Sequence, residues 1–419
     1  MSSIFHYEGD KLYCDGVSAE ELVAIYGTPL YVYSETSIRE RYHEFDSAFN
    51  GINRLIAYSV KANGNLAVLK LLGEQGAGAD IVSAGELKRA RLAGIPGERI
   101  VFSGVGKTVT ELAAGLDAGI YSFNVESEGE LRALAHLGET VGKRAPIALR
   151  VNPDIESPTP HAYTRTGHRA TKFGLPIEDA PRLYQFASDA RGIRVRGVDV
   201  HIGSQILEVE PYRLALQRVL ELVAELKSQG IDLEYIDLGG GFGVSYEGEP
   251  GPSAADFARA LLPDLKRSGL RLVLEPGRFI MGPSGVLLTR IIYVKQMGGK
   301  TFAITDAGMN DLLRPSHYAS YHHVQPAERH PDRQRVQVDV VGPICETGDF
   351  LALDRELQHP HDGELLALRT TGAYGFSMAS TYNARTRPAE VLVCGSGHRV
   401  IRKRETIDDL VRGEIELLG

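Results

Sequence analysis

Two stretches far apart in the chain carry groups that could share one reaction. In AYSVKANGN, residues 57 to 65, Lys61 ends a run of small and β-favouring residues, and Ala62-Asn63-Gly64-Asn65 then breaks it. A lysine at the end of a buried strand either lays its stem along the protein and reaches water, or reacts as an amine. In IDLGGGFGVSY, Gly239, Gly240, Gly241 and Gly243 fall close together, and Glu275-Pro276-Gly277-Arg278 follows. Glycines let backbone N–H groups turn toward one anion, and Arg278 brings a guanidinium to the same corner. The run is not a dinucleotide fingerprint, because GxGxxG counted from Gly239 requires a glycine where Val244 stands. An amine, an acid and a phosphate cradle together match pyridoxal phosphate. Its aldehyde condenses with an amine, its ring nitrogen takes an acid or base partner, and its phosphate takes donors. A carboxylate at Glu275 favours the protonated ring, a strong electron sink suited to decarboxylation. Burial of Lys61 is expected to favour the free amine.

Further residues are chemically suggestive but carry less alone. His201, in VDVHIGSQ, is flat enough to stack on a cofactor ring, and Ser204 lies within loop reach of a phosphate. Cys345 directly precedes Glu346 in GPICETGDF. A cysteine in a β-domain is usually a small buried hydrophobe, yet the Thr-Gly-Asp that follows reads as a turn. A carboxylate beside a thiol disfavours the thiolate and leaves a proton to donate. Arg314 and Tyr318 stand at helical spacing in LLRPSHYASYH, and Tyr374 lies between Gly372 and Gly375. The pair His322-His323 lacks carboxylates at ligand spacing, so no metal is expected.

These residues need a scaffold that brings strand ends together. Eight apolar runs alternate with helix-like segments: 54–61, 78–83, 98–104, 121–127, 146–153, 195–203, 234–241 and 271–276. Such alternation implies parallel strands joined by helices, and eight strands close a (β/α)8 barrel. The runs end in Lys61, Ser83, Ser103, Glu126, Asn152, His201, the glycines from Gly239, and Glu275. Active sites of such barrels are built at that end, with phosphate after strands seven and eight. Beyond residue 285, β-branched runs without regular helices read as a C-terminal all-β domain. The expected division is a barrel over 27–282 and a β-rich domain from 1–26 and 283–419, the latter starting with strands in IFHYEGDKLYCDG.

With 419 residues, 43% hydrophobic and 24% charged, the chain is long enough for two domains of ordinary globular composition. A net charge of −8 without blocks of like charge argues against nucleic-acid binding. Cys14, Cys345 and Cys394 form neither a CxxC pair nor a disulfide framework, and no apolar run is long enough to span a membrane. A cytoplasmic location is expected.

The segments YSVKAN, GADIVSAGEL, HIGSQ, LGGGFG, EPGR, LLRPSHYASYH, CETGDF and GAYGFSMASTYNARTRP, in this order from about residue 25 to 395, resemble the diaminopimelate decarboxylases, alanine-racemase-like pyridoxal enzymes. The resemblance implies a homodimer with shared active sites. It implies that Lys61 carries the cofactor as a Schiff base, His201 stacks on the ring and Glu275 meets the ring nitrogen. Ser204, Gly239, Gly240, Gly241, Gly277, Arg278 and Tyr374 would lie at or near the phosphate. Asp80 and Arg150 match positions near the cofactor. The substrate, meso-diaminopimelate, would be held by Arg278, Arg314, Tyr318, Glu346 and Tyr374, and Cys345 of the second subunit would donate the proton. The chain departs from the commoner pattern at Ala84-Gly85 and in the segment 153–174, a possible lid. The competing readings are decarboxylation of another diamino acid, such as ornithine, arginine or a carboxylated polyamine, and a non-catalytic regulatory homologue that binds the cofactor.

Overall fold

The eight apolar runs become eight strands in the computed structural model, which describes residues 4–155, 171–247 and 251–418. They are β1 (Arg54–Ser59), β2 (Gly78–Ile81), β3 (Ile100–Phe102), β4 (Ser122–Val125), β5 (Ala145–Asn152), β6 (Ile193–Asp199), β7 (Tyr235–Asp237) and β8 (Arg271–Leu274). Each strand pairs in parallel with the next, and β8 pairs with β1, so the sheet closes into a barrel. Strands of a parallel barrel are covered on both faces, which is why the runs are continuously apolar rather than alternating.

The period of two along each strand sorts the barrel interior into layers. Leu55, Ala57, Val101, Ala148, Tyr235 and Val273 belong to one apolar cluster. Two residues further along the same strands, in the same phase, come Ser59, Ser103, Arg150, Asp237 and Glu275, all buried. Asn124 on β4 joins this polar layer, donating to Asp237 of β7 and to Glu275 just after β8. Gly197 on β6 leaves room for a large neighbour, since a Cβ there would lie 2.5 Å from the ring of Tyr235. Small polar caps start the outer helices: Ser83 accepts from Glu86 N, and Thr108 with Glu111 forms a reciprocal box. Ser83, expected among the strand-end site residues, is therefore a helix cap.

The second unit is built on a nine-stranded sheet. Within it, Leu30–Ser34 lies between Gly285–Met297, to which it is antiparallel, and Ala389–Cys394, to which it is parallel. Phe5, Leu12, Cys14 and Val17 of a small N-terminal sheet pack into one core with Val32, Val286, Leu288 and Val391. The division between the units falls after Glu40 and before Ile280, with a short stretch from Ser245 counted to the second unit. It differs from the expected boundary at 27 because Leu30–Ser34 pairs inside the β sheet rather than with the barrel. Short helices also occur here: Arg314–Tyr318, in agreement with the helical spacing of those two residues, and Ile407–Val411, where none was expected. No helix among the described residues is long and apolar enough to cross a membrane. Of the suggested lid at 153–174, residues 156–170 lie outside the described residues.

Candidate active site

Lys61 sits in a single 3-10 turn, Val60–Ala62, that follows β1. Its Nζ lies 2.5 Å from Asp80 Oδ2 on β2, and Ser59 Oγ donates to the same oxygen at 2.8 Å. Asp80 is fully buried whereas the Lys61 side chain is 35% exposed. Lys61 is thus a partly exposed amine paired with a buried carboxylate, rather than a wholly buried one.

Across the barrel, Ser103 Oγ and Asn124 Nδ2 donate to Glu275 Oε1 at 3.3 and 3.4 Å. Oxygens of Asp199, Asp237 and Glu275 gather within 4.8 Å of one another, all three residues buried. Burial first, and then the neighbouring acids Asp237, Asp80 and Asp199, push Glu275 well above the usual carboxylate range. Burial and Asp237 do the same to Asp199, while Asp237, stabilised by the Gly239 N–H, rises only to about 6. Like charges this close in a dry interior cannot all ionise, so Glu275 holds its proton more tightly than an ordinary carboxyl group does. His201 is driven the other way: burial, then the cations Arg150 and Lys61, lower its pKa well below the usual value, so its ring is neutral. Arg150 is held by Glu126 at 3.0 Å, and Glu126 also accepts from Gly104 N and Gly174 N.

The glycine run makes the turn after β7. Gly239 and Gly241 have φ of +66° and +92°. A Cβ on Gly240 would come 2.3 Å from the carbonyl oxygen of Glu275, and one on Gly277 2.9 Å from the Cβ atoms of Ser59 and Ala62. The glycines thus let β1, β7 and β8 converge closely. Beside them Arg278, itself buried, donates to Ser204 Oγ at 3.3 Å. This donor set fits pyridoxal phosphate: an open lysine amine for the aldehyde, a proton-bearing acid for the ring nitrogen, a neutral imidazole, and a guanidinium with a hydroxyl at a glycine turn for the phosphate.

The other candidate residues lie in the second unit and are described within it. Arg314 opens the helix Arg314–Tyr318, where Pro315 follows at a position that needs no N–H donor. Its guanidinium donates to Ser320 Oγ at 3.1 Å and lies 5.6 and 5.7 Å from the rings of Tyr246 and Tyr318. Cys345 and Glu346 are exposed on one turn, as the sequence suggested. The Cys345 N–H donates to Asn383 Oδ1 at 2.9 Å, and Tyr382 OH donates to Glu346 Oε2 at 3.1 Å. Beneath the turn, buried Asp349 accepts from Ile344 N and Met309 N, both at 2.6 Å. Tyr374 holds a φ of +57°, a strained position for a non-glycine residue.

Sequence reasoning missed Asp199, Asp237, Asn124, Asp349 and Asn383 as participants. Asp237 carried one usable signal, its place two residues before Gly239, with which it bonds at 2.9 Å. The others become neighbours of the site only once the barrel closes or the β-unit turns stack.

The family described as "Pyridoxal-dependent decarboxylase, pyridoxal binding domain" matches residues 35–282. The chain is 49% identical to the diaminopimelate decarboxylase of Aquifex aeolicus, covering 98% of this chain and 97% of that one. It is 47% identical to that of Pseudomonas aeruginosa, over 98% of each. The crystal structure of diaminopimelate decarboxylase from Helicobacter pylori complexed with L-lysine superposes with a TM-score of 0.92 at 41% identity, covering 95% of this chain and 100% of that one.

Proposed function

Because the chain belongs to the pyridoxal-dependent decarboxylases, and among them to the diaminopimelate decarboxylases, we propose that Lys61, Glu275 and Cys345 carry the steps of its reaction. That reaction is the removal of CO2 from meso-2,6-diaminopimelate to give L-lysine, the last step of lysine biosynthesis. Bound pyridoxal phosphate supplies an aldehyde for the substrate amine and a ring that takes up the electron pair released as CO2 leaves.

The observation that carries the role assignment is the partly open Lys61 amine held by buried Asp80 in the barrel that also buries the acid Glu275. Lys61 offers its amine to the aldehyde, and Asp80 fixes its direction. Glu275 holds a proton at its carboxyl and offers it to the ring nitrogen. Arg278, Ser204 and the turn at Gly239, Gly240, Gly241 and Gly277 bind the phosphate, with Tyr374 added at its edge, and neutral His201 stacks on the ring. The substrate carries two carboxylates and two ammonium groups, so its far end requires both a guanidinium and an acid. Arg314 and Arg278, with Glu346, Tyr318 and Tyr374, meet that requirement. Cys345 Sγ then delivers a proton to the carbon that lost CO2, and the thiolate recovers its proton from water. Two copies form a dimer in which Cys345 of one serves the other. Three free thiols, at Cys14, Cys345 and Cys394, support a cytoplasmic setting.

The test is CO2 release from purified protein on meso-diaminopimelate and on ornithine, which lacks the distal carboxylate. The first should be faster by about 10² or more, because a site built for an anion rejects the analogue without it. Comparable rates would refute the substrate role of Arg314.

A further inference from the structure

Asp237 has no part in the roles above, yet it touches both ends of the cofactor half. Its Oδ1 accepts the N–H of Gly239, the first residue of the glycine turn, at 2.9 Å. Its Oδ2 shares the Asn124 amide with Glu275 Oε1, each at 3.4 Å, and Asn124 also reaches Ser103 Oγ at 3.3 Å. Asp237 and Glu275 oxygens lie in one buried cluster, within 4.8 Å. The side chain is completely buried.

We propose that Asp237 is a positioning residue that couples the phosphate turn to the ring acid: one oxygen fixes the Gly239 turn while the other shares the Asn124 amide with Glu275. The proposal rests on the reading of Glu275 as the acid that meets the ring nitrogen. The physical reasoning starts from the donor at Gly239. A backbone N–H favours the ionised form of Asp237, so of the two acids Asp237 gives up its proton first. Its charge then opposes loss of the Glu275 proton to water, so the proton is kept in the site, where Glu275 and a bound ring nitrogen would share it. The charged groups facing the pair are Asp80 from β2, Asp199 from β6 and Lys61 after β1, with Arg150 on β5 held between Asp199 and Glu126. Acids outnumber cations around it, so removing one negative charge at Asp237 has a definite sign: Glu275 releases its proton at lower pH.

The test uses the full-length holoenzyme and two readouts, the visible absorbance of bound cofactor as a function of pH and the rate of cofactor release. Asp237→Asn retains a side-chain oxygen for Gly239 but loses the charge. Its absorbance midpoint should fall by about one pH unit or more, with release changed by less than about threefold. Asp237→Ala should show the same fall together with release at least about tenfold faster, the turn having lost its acceptor. An unchanged midpoint in Asp237→Asn, or equal release from both variants, overturns the proposal. Should Asp237→Ala not fold, the midpoint of the isosteric Asp237→Asn decides alone. Glu275→Gln separates the two levels: it should abolish the titration, and a wild-type midpoint in that variant overturns the Glu275 reading and the proposal together.

Discussion

Truncating Asp349 to alanine should loosen the turn that carries Cys345 and Glu346 without touching the barrel. The carboxylate is buried and accepts two backbone N–H groups at 2.6 Å, from Ile344 just before Cys345 and from Met309 on the segment that leads to Arg314. Glycine at 308 and 342 lets these strands close on it, since a Cβ at Gly342 would fall 2.4 Å from an Asp349 oxygen. Each buried donor left without an acceptor costs about 1–3 kcal/mol, hence roughly 2–6 kcal/mol for two. Part is recovered because the carboxylate itself is desolvated, which raises its pKa above the usual value. A net loss of about 2–4 kcal/mol follows. Denaturant unfolding followed by a probe in the β unit measures it, and CO2 release with bound-cofactor absorbance separates its consequences. Turnover should fall by about 10-fold or more while absorbance per subunit is retained. A stability change below about 1 kcal/mol together with unchanged turnover would refute the reasoning.

Lys61→Ala should lose both the visible cofactor absorbance and turnover, whereas Cys345→Ala should keep the absorbance and slow product formation by about 10²–10⁴, the usual worth of a positioned acid. Mixing these two variants as refolded dimers should restore up to about a quarter of wild-type activity per site if each active site draws on both copies; no recovery would count against sharing. Asp311 is buried and its pKa is raised to about 7, mainly by desolvation. A folded value above the unfolded one means that the group's stabilising contribution is complete below about pH 4 and is lost as pH rises through about 7. Asp311→Asn should accordingly gain about 1–3 kcal/mol on wild type between pH 5 and 9, measured by denaturant midpoints at each pH; parallel pH profiles would contradict the assigned cause.

The barrel was legible because its strands are buried on both faces. Runs such as RLIAYS and GADI have no exposed side to interrupt them, and their polar residues gather toward the C-terminal end of the strand. Lys61, Glu275 and the glycine turn could be read from residue type and position in the run. Asp237 and Asp199 could not, because an aspartate at the last residue of a strand looks like any exit to solvent until closure turns it inward. In the second unit, LALDRELQ has the charge spacing of an exposed helix, and the strand state of Phe350–Gln358 comes from pairing with Arg335–Val341. Leu30–Ser34 was assigned to the barrel because its sheet partners lie about 250 and about 360 residues away, beyond the reach of any local pattern.

That last strand sets an order on biosynthesis. Leu30–Ser34 leaves the ribosome early, yet one of its two neighbours starts at Gly285 and the other at Ala389. At about 5–20 residues per second, the first partner arrives roughly 13–50 s later and the second later still. Meanwhile the barrel strands emerge in the sequence in which they pair, from Arg54 to Leu274, and can close as they come. A nascent chain therefore carries an apolar strand, LYVYS, with open edges throughout barrel folding. Chaperone dependence, and aggregation of chains stalled before Cys394, should concentrate on that interval.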